Sequence, residues 1–252
     1  MAAYKGRRED DRFLTGRGRY SGDWSLPGEL HAAFRRSEVA AARIRSLDVS
    51  EALRQPGVQA VLLGSDFSRG FGTLVPAINY KGRGGAEVIT PARPLLARDQ
   101  VRFVGEEIAL VLADSRAAAL DAAEKIVADY EERPAVIGWA AALRAEAQVH
   151  DSVPGTVCFD FDYGDEAATA ALLDESAYRV AASIDSPRAS AAPMEPRAVL
   201  AWYDAARETY EIRCSNQGGD LMAVQLAVLL NTKRENIRVH PVDVGGGFGP
   251  RA

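Results

Sequence analysis

The sequence predicts an α+β protein in two parts. Residues 106–137 read as strand–helix–strand. The texture changes at His150, where the run Asp-Ser-Val-Pro-Gly-Thr forms a turn or linker. A last strand runs directly into Gly245-Gly246-Gly247-Phe248-Gly249. The 252 residues are 47% hydrophobic and 26% charged, enough to bury a core and unlike a disordered chain. A net charge of -5 offers no basic excess to neutralise phosphates, which argues against a general nucleic-acid binder. No apolar run approaches the roughly 20 residues of a membrane span. The start, MAAYKGRREDDRF, has no apolar core of a secretory signal. A cytoplasmic protein with no nucleic-acid or membrane partner is expected.

The first thirty residues, rich in Arg, Asp and Gly, read as an irregular arm lying across another surface. Leu30–Phe34 is a short apolar run, and Ala42–Leu47 alternates crudely. Asp48 or Ser50 caps a short helix that Pro56-Gly57 ends. Val58–Leu63 is a buried strand by length and composition. Residues 64–99, rich in Gly and Pro, form a long excursion. Val101–Val104 and Ile108–Ala113 are the next apolar pair. Asp114 or Ser115 then caps an alanine-rich helix, RAAALDAAEKIVADY, in which Leu120, Ala123 and Val127 recur at helical spacing. Beyond His150, Ala177–Ile184, Val199–Tyr203, Tyr210–Ser215 and Ile237–Val244 read as strands. Leu221–Leu230 reads as a helix, apolar almost all round and so buried.

Cys158 and Cys214 form no CxxC pair and fit no zinc spacing; they read as small apolar side chains or free thiols. His31, His150 and His240 lie far apart, with no HExxH pair, and read as structural. No residue is assigned to a metal. The sharpest chemical signal is Gly245–Gly249. Successive glycines after a strand let the backbone approach a ligand or adopt positive φ, with N–H groups aimed at an anion or oxo group; a plain tight turn is equally compatible. The run is neither GxGxxG nor a P-loop. Arg251 can meet a phosphate or be a solvated terminus. Glu195, in Met194-Glu195-Pro196-Arg197, is drawn inward and needs a partner such as Arg197 or Arg188. Gln217 ends a strand and opens a Gly-Gly turn before a helix; its neutral amide is both donor and acceptor, and by itself it reads equally as an ordinary cap or turn residue.

Several ordered motifs resemble the molybdenum-binding large subunit of the xanthine oxidase family: EDDRFLTGRGRYSGDWSLPGELHAAFRRS, RFVGEEIALVLADSRAAALDAAEKIVADYEERPAV, APMEPRAVLAWYD and VDVGGGFG. The resemblance implies an α/β hammerhead domain over 1–135 with the N-terminal arm, a linker over 136–160, and the first part of a molybdopterin-binding domain over 161–252. It implies oxidation of an aldehyde, N-heterocycle or similar small substrate with water as oxygen source. Gln217 and Glu195 are the implied catalytic residues; Gln217, Gly246, Gly247, Phe248, Gly249 and Arg251 are the implied cofactor contacts. The cofactor is molybdopterin-bound molybdenum, in its cytosine dinucleotide form. It is shared with a chain carrying the remaining segments, while iron–sulfur clusters and FAD sit on partner subunits. Two departures stand out: Thr156 replaces the Asn of a VPGN pattern, and Gly218-Gly219 follows Gln217 where many members carry a nearby His. Family large subunits are much longer, so this chain alone is expected to be inactive. A noncatalytic assembly module is the alternative; a nucleotide-binding domain is disfavoured by its missing fingerprint.

Overall fold

A computed structural model describes residues 6–74, 80–187, 189–249 and 251. In chain order the elements are α1 (Asp10–Leu14), β1 (His31–Arg36), β2 (Ala42–Asp48), α2 (Ser50–Leu53), β3 (Val58–Leu63), β4 (Gln100–Val101), β5 (Glu107–Ala113), α3 (Arg116–Glu124) and β6 (Val127–Glu132). There follow α4 (Gly138–Arg144), α5 (Glu166–Glu175), β7 (Val199–Asp204), β8 (Thr209–Cys214), α6 (Gly219–Leu229) and β9 (Ile237–His240). Two compact units emerge. The first comprises residues 1–74, 94–132 and 191–252; the second comprises 75–93 and 133–190.

The first unit holds three sheets, ordered β1-β5-β3, β4-β2-β6 and β7-β8-β9. β5 is central to the first, antiparallel to β1 and β3. Its apolar run serves two cores. Ala109 and Val111 pack with α3, whose Ala119 and Ala122 let helix and sheet approach closely, while Ile108 packs with Ala42, Ala97 and Val101. Burying a side chain the size of Ile108 contributes roughly 1.5–3 kcal/mol. Ser115, not Asp114, caps α3: its side chain accepts from the Ala118 N–H at 3.2 Å. Asp48 accepts from the Ser50 N–H at 2.9 Å and sets the turn into α2. The third sheet continues by a βαβ step, since β8 and β9 are parallel and α6 joins them. Ile212, Ala223, Ala227 and Ile237 fill its core.

Four expectations change. The alanine-rich helix stops at Glu124, and Val127 opens β6, which pairs with β2. Helical spacing alone does not see that ladder. Residues 177–184 form no strand, and Tyr178, Val180 and Ile184 are almost fully exposed. Their alternation is real, but no strand lies beside them to accept the backbone bonds. The strand from Ile237 ends at His240, because the chain then leaves the sheet towards the glycine loop. Finally, α6 is buried on one side only: Ala223, Ala227 and Leu229 are interior, whereas Leu221, Val224 and Val228 are exposed.

In the second unit, α4 and α5 were not anticipated. Asp165 caps α5 through the Ala168 N–H at 2.9 Å. The acidic-aromatic run 159–163 lies along residues 80–89. Arg83 Nε donates to Asp160 at 3.0 Å, and the Tyr80 ring meets Phe159 and Phe161 at 5.9 and 5.5 Å. Cys158 and Cys214 are free thiols. Among the described residues, no helix is long and apolar enough to cross a membrane, and no cluster of His, Cys, Asp and Glu is arranged to hold a metal ion.

Candidate functional site

The chain after β9 turns back through Asp243 to the glycine loop, which runs between Glu195 and Gln217. Gln217 stands in the turn between β8 and α6. An Asx turn shapes that turn: Asn216 Oδ1 accepts from the Gly218 N–H at 3.1 Å, while its Nδ2 donates to the Cys214 carbonyl at 3.0 Å. Gln217 is bound to the loop twice. Its backbone N–H donates to the Arg251 carbonyl at 2.9 Å, and its Oε1 accepts from the Gly249 N–H at 2.9 Å. Its Nε2 has no partner among the described residues and lies at an exposed position.

Glu195 anchors the other side. Oε2 accepts from the Gly245 N–H at 2.8 Å and from Arg251 Nη1 at 2.9 Å, and Oε1 accepts from the Ser21 N–H at 3.1 Å. Arg251 Nη2 also donates to the Glu195 carbonyl. Both side chains are buried, with 7% and 4% of their surface exposed, so the pair neutralises itself inside the protein. Burial alone would raise the Glu195 carboxyl. The N–H donors of Gly245 and Ser21 outweigh it and hold the group below its usual range. The charge partner is therefore Arg251. Arg188, the other residue weighed from sequence, lies outside the described residues, and Arg197 is exposed.

The loop needs its glycines for different reasons. A Cβ on Gly245 would stand 2.4 Å from Glu195 Cβ, and one on Gly247 would stand 2.6 Å from Gln217 Cδ. Gly246 and Gly249 adopt φ of +111° and +91°. Phe248 also has positive φ, 55°, and its ring is 74% exposed. Positive φ in a glycine-rich turn is a backbone geometry in which N–H groups can converge on an anion. The N–H groups of Gly246, Gly247 and Phe248 have no partner among the described residues. Gly247 stands beside Gln217 Nε2, a further donor. Arg251 contributes from beneath, by holding Glu195.

Asp243, Arg12, Arg19 and Ser21 also belong to this site and were not singled out from sequence. Asp243 is buried. It accepts from the Arg19 N–H at 2.7 Å and pairs with Arg12 Nη2 at 2.6 Å. The one signal for them was the Arg/Gly-rich composition of an arm with too few apolar residues to pack by itself.

Two family models match. The aldehyde oxidase and xanthine dehydrogenase a/b hammerhead domain matches residues 15–134, and the molybdopterin cofactor-binding domain matches 149–252. The chain belongs to the aldehyde oxidase and xanthine dehydrogenase family, carrying its hammerhead domain and the start of its molybdopterin cofactor-binding domain. It is 34% identical over 250 residues to the nicotine 6-hydroxylase large subunit of Paenarthrobacter nicotinovorans, covering 98% of this chain and 29% of that one. It is 29% identical to the carbon monoxide dehydrogenase large chain of Hydrogenophaga pseudoflava, covering 96% and 30%. Among solved structures, quinoline 2-oxidoreductase from Pseudomonas putida 86 superposes with a TM-score of 0.87 at 39% identity, covering 97% of this chain and 30% of that one. The chain thus spans less than a third of the length of these relatives.

Proposed function

We propose that this chain is the hammerhead and first cofactor-binding segment of a molybdenum hydroxylase large subunit, acting on an aldehyde, N-heterocycle or similar small electron-poor substrate with water as oxygen source. The observation that carries it is the close approach of the glycine loop to Gln217, with Gly247 beside Gln217 Nε2, within a region that matches a molybdopterin cofactor-binding domain. That domain match speaks against a noncatalytic assembly module.

The residues fit the cofactor. Its oxo and phosphate oxygens are acceptors, and the loop N–H groups and the Gln217 amide N–H groups are donors. The cradle is lined by glycines, so backbone N–H groups can approach to hydrogen-bond distance. When bound, the group supplies two-electron oxidative hydroxylation. Gln217 would donate from Nε2 to an acceptor of the group, its orientation fixed by the Gly249 N–H on Oε1. Gly246, Gly247 and Phe248 would cradle the group through their N–H donors. The exposed Phe248 ring would cover the group's edge and exclude water. Glu195 is a positioning residue: ionised and paired with Arg251, it holds the loop base and carries no proton. The cytosine dinucleotide form, iron–sulfur and FAD partner subunits, and a cytoplasmic location belong to the same reading.

Expression of the large subunit that contains these residues together with iron–sulfur and FAD subunits tests it. Near-stoichiometric molybdenum and incorporation of labelled water oxygen into product are expected. A stable complex lacking molybdenum overturns the reading.

A further inference from the structure

The N-terminal arm reaches the glycine loop at two points, and both contacts end on residues that set the loop's base. Arg12, on the short α1, pairs with Asp243 Oδ1 at 2.6 Å. The arm and Asp243 then bond in both directions: the Arg19 N–H donates to Oδ2 at 2.7 Å, and the Asp243 N–H donates to the Arg19 carbonyl at 3.1 Å. Two residues further along the arm, the Ser21 N–H reaches Glu195 Oε1 at 3.1 Å, while Ser21 Oγ accepts from the Ser215 N–H at 2.6 Å. Asp243 stands two residues before Gly245, Glu195 holds Gly245 itself, and Ser215 stands two residues before Gln217. The arm therefore touches the supports of both the glycine loop and Gln217.

The arm is fastened beyond these contacts. Arg19 lies over the Trp24 indole at 3.7 Å, and Arg213 of β8 lies over the same indole at 4.0 Å. Such contacts strengthen as the cation is desolvated. Ser21 opens a 3-10 turn, Ser21–Asp23, closed by Asp23 accepting from the Tyr20 N–H at 2.8 Å. The sequence from Arg12 to Trp24 is thus a shaped strap docked on the third sheet and the loop base.

We propose that this N-terminal strap is a positioning element of the cofactor site. It holds Asp243 and Glu195 so that the loop N–H groups and Gln217 keep their aim. Without the strap, Asp243 is a buried carboxylate short of partners, and Glu195 loses one of the donors that keep it ionised. The loop base then has two ways to relax, and positive-φ residues relax first because nothing else over-determines them. The inference rests on the cofactor reading for its purpose, but its geometry concerns this chain's own residues.

Hydrogen exchange on the 252-residue chain tests it without any cofactor. The reporters are the bonded amides of Gly245, Gly249 and Gln217; the controls are β5, and the β8 amides on the sheet the strap rests on. Arg12→Ala and Asp243→Asn should each speed the reporters about tenfold, the scale of losing a charge-assisted hydrogen bond. β5 and β8 should be unchanged, and Arg12→Lys should restore much of the protection. Unchanged reporters in variants that keep β5 protected would overturn the strap. So would parallel acceleration of β8 and loop, which marks general destabilisation. If Asp243→Asn fails to fold, Arg12→Ala and Arg12→Lys alone decide, since Arg12 is partly exposed. Molybdenum content of the same variants in the assembled complex separates the two claims. Coupled exchange in a complex that binds no molybdenum leaves the strap standing and sinks the cofactor reading; full molybdenum with uncoupled exchange does the reverse.

Discussion

Glu195 and Gly245 hold each other in both directions. The Gly245 N–H donates to Glu195 Oε2 at 2.8 Å, and the Glu195 N–H donates to the Gly245 carbonyl at 3.2 Å. Fifty residues of chain separate them. This exchange, with Arg251 on the same carboxylate, fixes where the glycine loop begins.

Removing the carboxylate should therefore cost more than an ordinary ion pair. Glu195→Ala leaves Arg251 charged and buried, a change that typically costs about 3–5 kcal/mol. Glu195→Gln should retain part of the donor pattern and lose less. Because the folded-state carboxyl lies below its ordinary 4.5, its stabilisation is complete above that pH and is lost as pH falls through the lower folded value. Unfolding curves of wild type and Glu195→Gln should converge as the medium is acidified below that range. A gap that stays constant with pH would show that charge has no part in it.

Gly245→Ala and Gly247→Ala should differ. At Gly245 the added methyl meets Glu195 Cβ at 2.4 Å, with the Glu195 backbone behind it. Overpacking of that kind costs about 1–3 kcal/mol, and the loop base must shift. At Gly247 the methyl meets the end of the Gln217 side chain, which is exposed and can rotate away. The fold should lose little, but Gln217 should release Gly249. Gly247→Ala should then resemble Gln217→Ala in the complex: lowered turnover with molybdenum largely retained. Loss of molybdenum in Gly247→Ala but not in Gly245→Ala would reverse this order.

Thr156 adopts φ of 60°, a left-handed conformation that β-branched residues rarely tolerate. Its Oγ1 donates to the Ala142 carbonyl at 2.5 Å, which compensates in part. Thr156→Asn suits the backbone better and keeps a donor, so it should stabilise the chain by about 0.5–1 kcal/mol. A drop in melting temperature would mean that the hydroxyl contact outweighs the backbone strain.

Limited trypsin digestion should cut first within 176–187, at Arg179. That segment lacks a ladder, and Val180 beside the scissile bond is 95% exposed. β5, with α3 packed on it, should survive longest. First cleavage inside 107–132 would contradict this ranking.

Where neighbours along the chain decide structure, the sequence was readable. Val58–Leu63 and Tyr210–Ser215 are compact apolar or alternating runs, and both are strands within a residue of expectation. Ser115 is a capping residue at a helix start, and it caps. The 177–184 run has the same alternation but no neighbouring strand. Val127 keeps helical spacing, yet its place opposite Asp48 on β2 makes it a strand residue. Pairing partners distant in sequence settle such cases, and local spacing carries no information about them.

The same division runs through the site. Composition and the resemblance of its ordered motifs to the xanthine oxidase family pointed to an α+β chain, with Gln217 and the 245–249 loop as its chemical signal. They also marked Glu195 as a carboxylate in need of a partner. Only the tertiary structure decided that the partner is Arg251, that Ser21 and Asp243 tie the N-terminal arm to the loop, and that Gly247 faces Gln217. The physical reason is that helix caps and apolar periods are set by residues a few positions apart. A buried charge, by contrast, takes whichever donors the fold brings within about 3 Å, however far away they lie in the chain.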